Sequence, residues 1–420
     1  MNHILHRLHR QGAFAALLLT VACNKPAEPS TAPETAPADK PAPAAEPPPP
    51  EGIKLGQTMP YSGPASAYGT IGKIEQAYFK KVNEEGGING KKVNLISVDD
   101  SYSPPKTVEQ IRKLVEDDKV VAIFQSLGTA PNAAIQKYLN TKKVPQLFAS
   151  TGATRFGDPA KFPYTTVFNP SYQLEGRTYA KHILEKFPKA KIAVLYQNDD
   201  YGKDLLAGLK EGLGEKGAKQ VVAEASYETS DPTVDSQIVT LKGSKADIFV
   251  NIATPKFAAQ AIRKVHDIGW KVKAHYLNAV AASIGTVLTP AGLDKSTGVL
   301  TSIYLKDVTD KQYDNDPTVQ KFKQFLQKYY PEGSLADGSN TYGYVAAQVL
   351  EQVLKQCNGD FSSENILKQA TNLKDFVPDL VQNGLSINTS PTDYFPFDKL
   401  ELARFDGKGW VPTGDAPKVD

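Results

Sequence analysis

The chain has 420 residues, with 48 Lys and Arg against 46 Asp and Glu, a formal net charge of +2, and 40% hydrophobic residues. The basic residues are spread along the chain rather than gathered on one stretch, which argues against a nucleic-acid surface. The only cysteines are Cys23 and Cys357, so if Cys23 is modified no internal disulfide is possible and the core must hold the fold.

Met1 to Ala22 carries His and Arg residues and then the apolar run Ala13 to Leu19. This is the pattern of a secretory signal peptide, with a hydrophobic region too short to span a bilayer. Leu19-Thr20-Val21-Ala22-Cys23 has the form of a lipobox, making residues 1–23 a lipoprotein signal and Cys23 the lipid attachment point. Thr20 stands where Leu is commonest, so plain secretion is the alternative. Residues 24–51 are nearly all Pro, Ala, Glu, Thr and Lys, a composition that buries little apolar area and forms an extended spacer. Lipid anchor, stalk and globular body is the layout of an exported bacterial lipoprotein, tied to a membrane surface rather than spanning it.

From about Gly52 the chain is large enough for two domains and has no apolar run of transmembrane length. Strands are expected at 53–59, 92–98, 120–124, 144–148 and 165–168. Between them Ile71, Ile74, Tyr78 and Val82, then Val108, Ile111, Leu114 and Val115, recur at helical spacing. The first helix stops at Gly86-Gly87. Strand, helix and strand repeated in this way specify a parallel sheet covered on both faces. The pattern restarts with strands at 191–196, 220–225, 248–252 and 272–277 and helices at 205–213, 236–241 and 257–268. Helices at 319–330 and 341–356 and strand-like residues near 400–405 follow. The fold class is α/β, in two units whose strand ends face a cleft.

Two loops carry the chemistry. Val120 to Phe124 runs into Gln125-Ser126-Leu127-Gly128-Thr129-Ala130-Pro131, a strand feeding a helix N-terminus, where open N–H groups and the helix dipole suit a carboxylate or phosphate. Val144 to Phe148 is followed by Ser150-Thr151-Gly152-Ala153-Thr154, a second hydroxyl-rich turn on the neighbouring strand. Ordinary βα loops capped by Ser and Thr are the alternative.

Other chemistry is not announced. His182, His266 and His275 have no metal-ligand spacing, and no G-x-S-x-G elbow is present. Gly212-Leu213-Gly214-Glu215-Lys216-Gly217 matches a dinucleotide fingerprint literally, but it closes a helix where the fingerprint must open one. Asp99 and Asp100 are expected to cap a turn, since adjacent strand residues point to opposite faces. No cofactor, metal or catalytic residue is expected.

The body from Ile53 to about Trp410 resembles the leucine/isoleucine/valine-binding family of periplasmic solute receptors, the type I binding proteins that feed ABC importers. The resemblance rests on Tyr61-Ser62-Gly63-Pro64 with Tyr68-Gly69, Glu85 to Gly90, Ser126 to Pro131, Ser150 to Thr154 and Asp200-Tyr201-Gly202, in order and at compatible spacing. It implies a Venus flytrap of two α/β lobes, the first from 52–170 and 303–383 and the second from 171–302 and 384–415. It also implies a substrate-binding lipoprotein with no catalytic activity, an inner-membrane ABC permease as partner and a small carboxylate ligand. Ser126 and Thr154 would hold the carboxylate with help from the N–H groups of Ala153 and Thr154, and the Gly152 carbonyl or the Thr154 hydroxyl would take an amino group. Tyr68 and Tyr201 would line the pocket from opposite lobes.

One departure bears on the ligand. The family pairs the ligand ammonium with a second-lobe Glu, whereas here the loop reads Tyr276-Leu277-Asn278-Ala279-Val280-Ala281-Ala282-Ser283, and the position of the family's Tyr falls near Ala253. A buried ammonium without its carboxylate forgoes roughly 1.5–3 kcal/mol. The ligand is then an aromatic, keto or branched aliphatic acid without the amine, or an apolar amino acid with its amine held by Asn278 and carbonyls. A ligand-sensing module for a receptor or regulator is the alternative function.

Overall fold

The computed structural model describes residues 52–414. The signal and lipobox with Cys23, and the Pro/Ala-rich spacer, lie outside the described residues.

The first sheet has the order β2-β1-β3-β4-β5, from Ile53–Met59 (β1), Val93–Asp99 (β2), Ala122–Phe124 (β3), Gln146–Ala149 (β4) and Thr165–Val167 (β5), all parallel. Six of the seven β1 residues are buried, as expected of a strand covered on both faces. Its helices are Gly69–Glu84 (α1), Pro104–Glu116 (α2) and Thr129–Lys142 (α3). Helix α1 buries Ile71, Ile74, Tyr78 and Val82 and ends where Gly87 N–H returns to the Val82 carbonyl at 2.9 Å.

Chain crossing at Asn169-Pro170 leads to Tyr172–Lys186 (α4), which the periodicity did not predict. Its buried face includes Glu175, Thr178 and His182, polar residues that break the apolar pattern. Then follow Ile192–Gln197 (β6), Asp200–Ala218 (α5), Val221–Tyr227 (β7), Asp235–Gly243 (α6), Ile248–Ile252 (β8), Pro255–Asp267 (α7), Ala274–Leu277 (β9), the short turns Thr289–Ala291 (α8) and Leu293–Ser296 (α9), and Leu300–Ile303 (β10). With Glu401–Phe405 (β11) and Trp410–Pro412 (β12) they build the second sheet, β12-β11-β10-β9-β8-β6-β7. It is parallel except for β11 and β12, which pair antiparallel.

Between β10 and β11 the chain returns to the first lobe. Helices Pro317–Tyr329 (α10), Gly338–Gln356 (α11) and Ser363–Ala370 (α12) join its core, with α11 lying on α1. Asp316 and Asp337 cap α10 and α11, so both start a few residues before their apolar pattern. Ile387, Phe397 and Leu400 also lie in the first-lobe core, so the last crossing falls near residue 400 and not at the expected 384. A short run goes the other way: Ala153 and Phe156 follow a first-sheet strand but pack among Tyr172, Tyr201 and Leu205 of the second lobe.

Candidate functional site

Strand β3 ends at Phe124, and α3 begins at Thr129 with Gly128 as its cap. Gly128 has φ of 100°, and a Cβ there would come within 2.3 Å of the Tyr102 ring, so both the turn and the packing require glycine. No side chain caps this helix. Gly128 N–H donates to the Ser150 carbonyl at 3.2 Å and Asn132 N–H to the Gly128 carbonyl at 3.0 Å, while Pro131 has no N–H. Thr129 and Ala130 are left as the open donors of the first turn among the described residues, at the positive end of the helix.

This turn borders a cavity of about 170 Å³ between the lobes. Tyr68, Tyr102, Thr129 and Ser150 come from the first lobe and Tyr172, Tyr201, Thr254 and Val280 from the second, with Tyr304, Tyr342 and Trp410 toward the crossings. Most of its hydroxyls are committed. Thr129 Oγ1 and Thr151 Oγ1 are 2.7 Å apart, Ser150 Oγ and Tyr342 Oη are 2.8 Å apart, and Tyr342 donates to Asn169 Oδ1 at 2.7 Å. Tyr201 differs: it is 2% exposed, and its Oη is buried with no partner among the described residues. It sits in the first turn of α5, held there by Asp199, which accepts from Tyr201 N–H and Gly202 N–H. Its ring packs edge-on against Tyr172 at 5.1 Å.

Burial pushes the phenols of Tyr68, Tyr102, Tyr201 and Tyr342 well above their usual range, so they are protonated donors at neutral pH. The charged groups on the wall are spoken for. Lys306 Nζ pairs with Asp316 at 2.7 Å, and Asp307 Oδ2 accepts from Trp410 N–H at 2.9 Å. Such a cavity has an aromatic and apolar body with one donor-rich end.

Of the seven expected ligand residues, Tyr68 and Tyr201 line the cavity. Tyr68 also donates from Oη to the Val280 carbonyl at 3.0 Å, across the cleft. The other five do not line it. Ser126 is 1% exposed and turned inward, donating to Asn132 Oδ1 at 2.5 Å; Thr129, three residues on, takes its place at the wall. Gly152 carries its carbonyl to Tyr172 N–H at 2.8 Å, and Ala153 N–H donates to Thr151 Oγ1 at 3.2 Å. Thr154 donates from N–H and Oγ1 to Asp204, at 2.8 and 2.7 Å. Asn278 lies beneath the wall with Oδ1 on Ala253 N–H at 3.1 Å, while the next residues, Ala279 and Val280, face the cavity.

The cavity is bordered by Leu127, Gly128, Thr129 and Ser150 of the two expected loops, and not by Ser126, Gly152, Ala153 or Thr154. Which residue of a loop faces outward depends on local turns such as the positive φ of Gln125 (53°), which apolar patterning does not encode. Tyr102, Tyr172 and Tyr342 gave no signal beyond being tyrosines. Elsewhere Asp99 and Asp100 cap the turn after β2, accepting from Ser101 N–H at 3.0 Å and Tyr102 N–H at 2.9 Å. No group of three or more His, Cys, Asp or Glu among the described residues could hold a metal ion.

Residues 52–407 match the periplasmic binding protein family. The chain is 24% identical over 324 residues to a Leu/Ile/Val-binding protein homolog 1 of Brucella abortus, covering 74% of this chain and 80% of that one. The fold superposes on a branched-chain amino acid ABC transporter from Thermus thermophilus with bound valine, with a TM-score of 0.78, 16% identity, and coverage of 88% and 97% of the two chains. A solute-binding protein from R. palustris in complex with benzoate gives a TM-score of 0.73 at 19% identity, covering 88% and 98%. With its two α/β lobes closed over a tyrosine-lined cavity and its match across nearly the whole described body, the chain belongs to the periplasmic binding protein family.

Proposed function

We propose that this chain is the substrate-binding component of an ABC importer, anchored outside the cytoplasmic membrane through lipid on Cys23, and that it takes a small carboxylate with an apolar or aromatic body into the interlobe cavity. The observation that carries this reading is Tyr201 Oη, buried without a partner among the described residues in the same cavity as the open first turn of α3. An anion between them accepts from the Thr129 and Ala130 N–H groups of one lobe and the Tyr201 hydroxyl of the other, so binding and closure are one event. The relatives support the ligand class: one family member holds valine and another benzoate, both small carboxylates. The candidates are branched-chain or other apolar amino acids and related aromatic or keto acids.

The test is thermal unfolding and calorimetric titration of the full chain against valine, leucine, phenylalanine, benzoate, phenylpyruvate and the keto acid of leucine. A true ligand at a thousand times its dissociation constant adds roughly 4 kcal/mol. Tyr201→Phe weakens it roughly tenfold, the worth of one hydrogen bond to a charged group. Absence of any shift across the panel, or a Tyr201→Phe protein that binds unchanged, sinks the reading.

A further inference from the structure

The lysines are spread along the sequence, but the second sheet gathers a group of them on one edge. Strands β7, β6, β8 and β9 are parallel neighbours, so the loops that enter them, 219–220, 187–191, 244–247 and 268–273, lie side by side at the end of the sheet away from the cleft. The backbone ties these loops together. Ile192 N–H donates to the Gln220 carbonyl at 2.7 Å, Asp247 N–H to the Lys191 carbonyl at 2.8 Å and Lys273 N–H to the Asp247 carbonyl at 2.7 Å. At the usual spacing of strands the row is roughly 15 Å long. It carries Lys189, Lys191, Lys219, Lys245, Lys271 and Lys273, all exposed. Asp247 is the carboxylate within these loops, and Lys273 Nζ meets it at 3.0 Å.

Helices α4, α5, α6 and α7 all end at this edge, and a lysine in the last turn of a helix is accounted for by the dipole it meets. That covers Lys216, Lys242 and Lys264. It does not cover Lys189, Lys191, Lys271 and Lys273, which lie beyond the last turns of α4 and α7, where the dipole has fallen off. Around the row, Glu185, Glu215 and Asp267 are matched by Lys216, Lys242 and Lys295, the last bonded to Asp267 at 2.7 Å. The row itself therefore keeps an excess of positive charge. The corresponding edge of the first sheet is mixed, with Lys92, Lys119 and Lys143 standing among Asp117, Asp118 and Asp158.

We propose that this edge of the second lobe is a membrane-facing surface that rests on anionic phospholipid headgroups. Lysine ammonium groups on flexible stems are point charges rather than forks for one phosphate, and the helix termini here are carbonyl ends, which repel an anion at close range. Both features disfavour a single bound phosphate and suit a sheet of mobile headgroups met at the lysine tips. Charges spaced within about a Debye length act together on such a surface. A bilayer is the polyanion that a chain anchored through Cys23 always has beside it, and in that one respect the proposal rests on the reading above. The cleft opens at the opposite ends of the same strands, where Tyr201, Thr254 and Val280 follow β6, β8 and β9, so contact at this edge leaves the cleft free to load.

The test is sedimentation of the full chain carrying Cys23→Ser, which has no lipid attachment point, with vesicles of phosphatidylcholine alone or with about 30% phosphatidylglycerol. The anionic vesicles bind it at least about tenfold more tightly, and the difference disappears at about 0.5 M salt. Lys189→Gln, Lys191→Gln, Lys245→Gln and Lys271→Gln together lower that binding about tenfold or more, with the melting temperature unchanged because all four are exposed. Lys92→Gln, Lys119→Gln and Lys143→Gln together, on the first-lobe edge, leave it within about twofold. Equal binding to neutral vesicles, an excess that ignores salt, or an equal loss in the first-lobe variant overturns the assignment. So does capture by soluble polyglutamate without binding to vesicles, which gives the edge to an acidic protein instead. Titration with the acid panel is a separate readout: both variants bind ligand as the wild type does, and failure of every acid to bind removes the receptor reading while leaving this surface standing. Palmitate labelling of the wild-type chain tests the anchor on its own, and the vesicle result decides the surface either way.

Discussion

Glu75, on the core face of α1, accepts from Gln57 Nε2 through Oε2 at 2.5 Å, while its Oε1 is buried without a partner among the described residues. Burial pushes its carboxyl well above the usual range. A carboxyl raised on folding contributes stability that is complete below the unfolded value near 4.3 and is lost as pH rises through the folded one. Glu75→Gln therefore stabilises the protein by on the order of 1 kcal/mol at pH 8 and has little effect at pH 4.5, a crossover that urea unfolding at the two pH values measures. Glu75 reads in the sequence as an ordinary charged residue of an amphipathic helix, and Glu175 falls in a stretch whose pattern predicts no helix. The sequence does not mark them as buried, because their neighbours in space come from distant stretches: Gln57 for one, Ala279 and Ser302 for the other.

Helices α4 and α5 meet backbone to backbone. A Cβ on Gly176 would fall 2.4 Å from the Leu205 carbonyl oxygen, one on Gly208 2.4 Å from Gln173 Cα, and one on Gly212 2.7 Å from the Ala180 Cβ. Gly212 belongs to the literal G-x-G-x-x-G run that its context ruled out as a cofactor loop. Its role here is close helix packing, and Gly214, at φ of 67°, kinks α5. Gly176→Ala forces the helices apart and costs about 1–3 kcal/mol, read as a lowered denaturant midpoint. Because α5 carries Tyr201, which lines the cavity, the same change also weakens ligand binding. Helix α4 was not legible in advance because its buried face mixes Leu174 and Ile183 with Glu175, Thr178 and His182, whereas α7, with Phe257, Ala261, Ile262 and Val265 inward, was.

Across the whole molecule, the lobes are bridged on several sides. Thr154 donates to Asp204, Tyr68 to the Val280 carbonyl, Ser283 Oγ to Asp337 Oδ1 at 3.0 Å, and Gly285 N–H to the Ala336 carbonyl at 2.7 Å. The exposed Arg155–Asp200 pair at 2.5 Å adds little, as solvent screens it. Asp204 lies outside the cavity wall, so Asp204→Ala acts only on the population of closed molecules. Apparent affinity falls in proportion to that fraction, about three- to tenfold, while the preference among ligands is unchanged. Small-angle scattering gives the second readout: ligand compacts the wild-type protein, and more ligand is needed to compact the variant. The resemblance places Thr154 at the ligand carboxylate, and in the structure its hydroxyl donates to Asp204. A small hydroxyl after a strand has the same local signature whether it meets a ligand or the opposite lobe.

The sequence alone determined the alternation of strands and helices, the two units and the loops at their facing ends, because these depend on periodicity and turn chemistry among near neighbours in the chain. It also carried the ordered landmarks of a family to which the chain belongs. Tertiary structure decided which residue of each loop faces the cavity, bringing Thr129 rather than Ser126 to its wall and turning Thr154 toward Asp204. It also left Tyr201 Oη without a partner among the described residues. The reason is physical: burial, an unmet hydrogen bond and a cavity are properties of surfaces brought together from stretches far apart in the chain, and no single stretch encodes them.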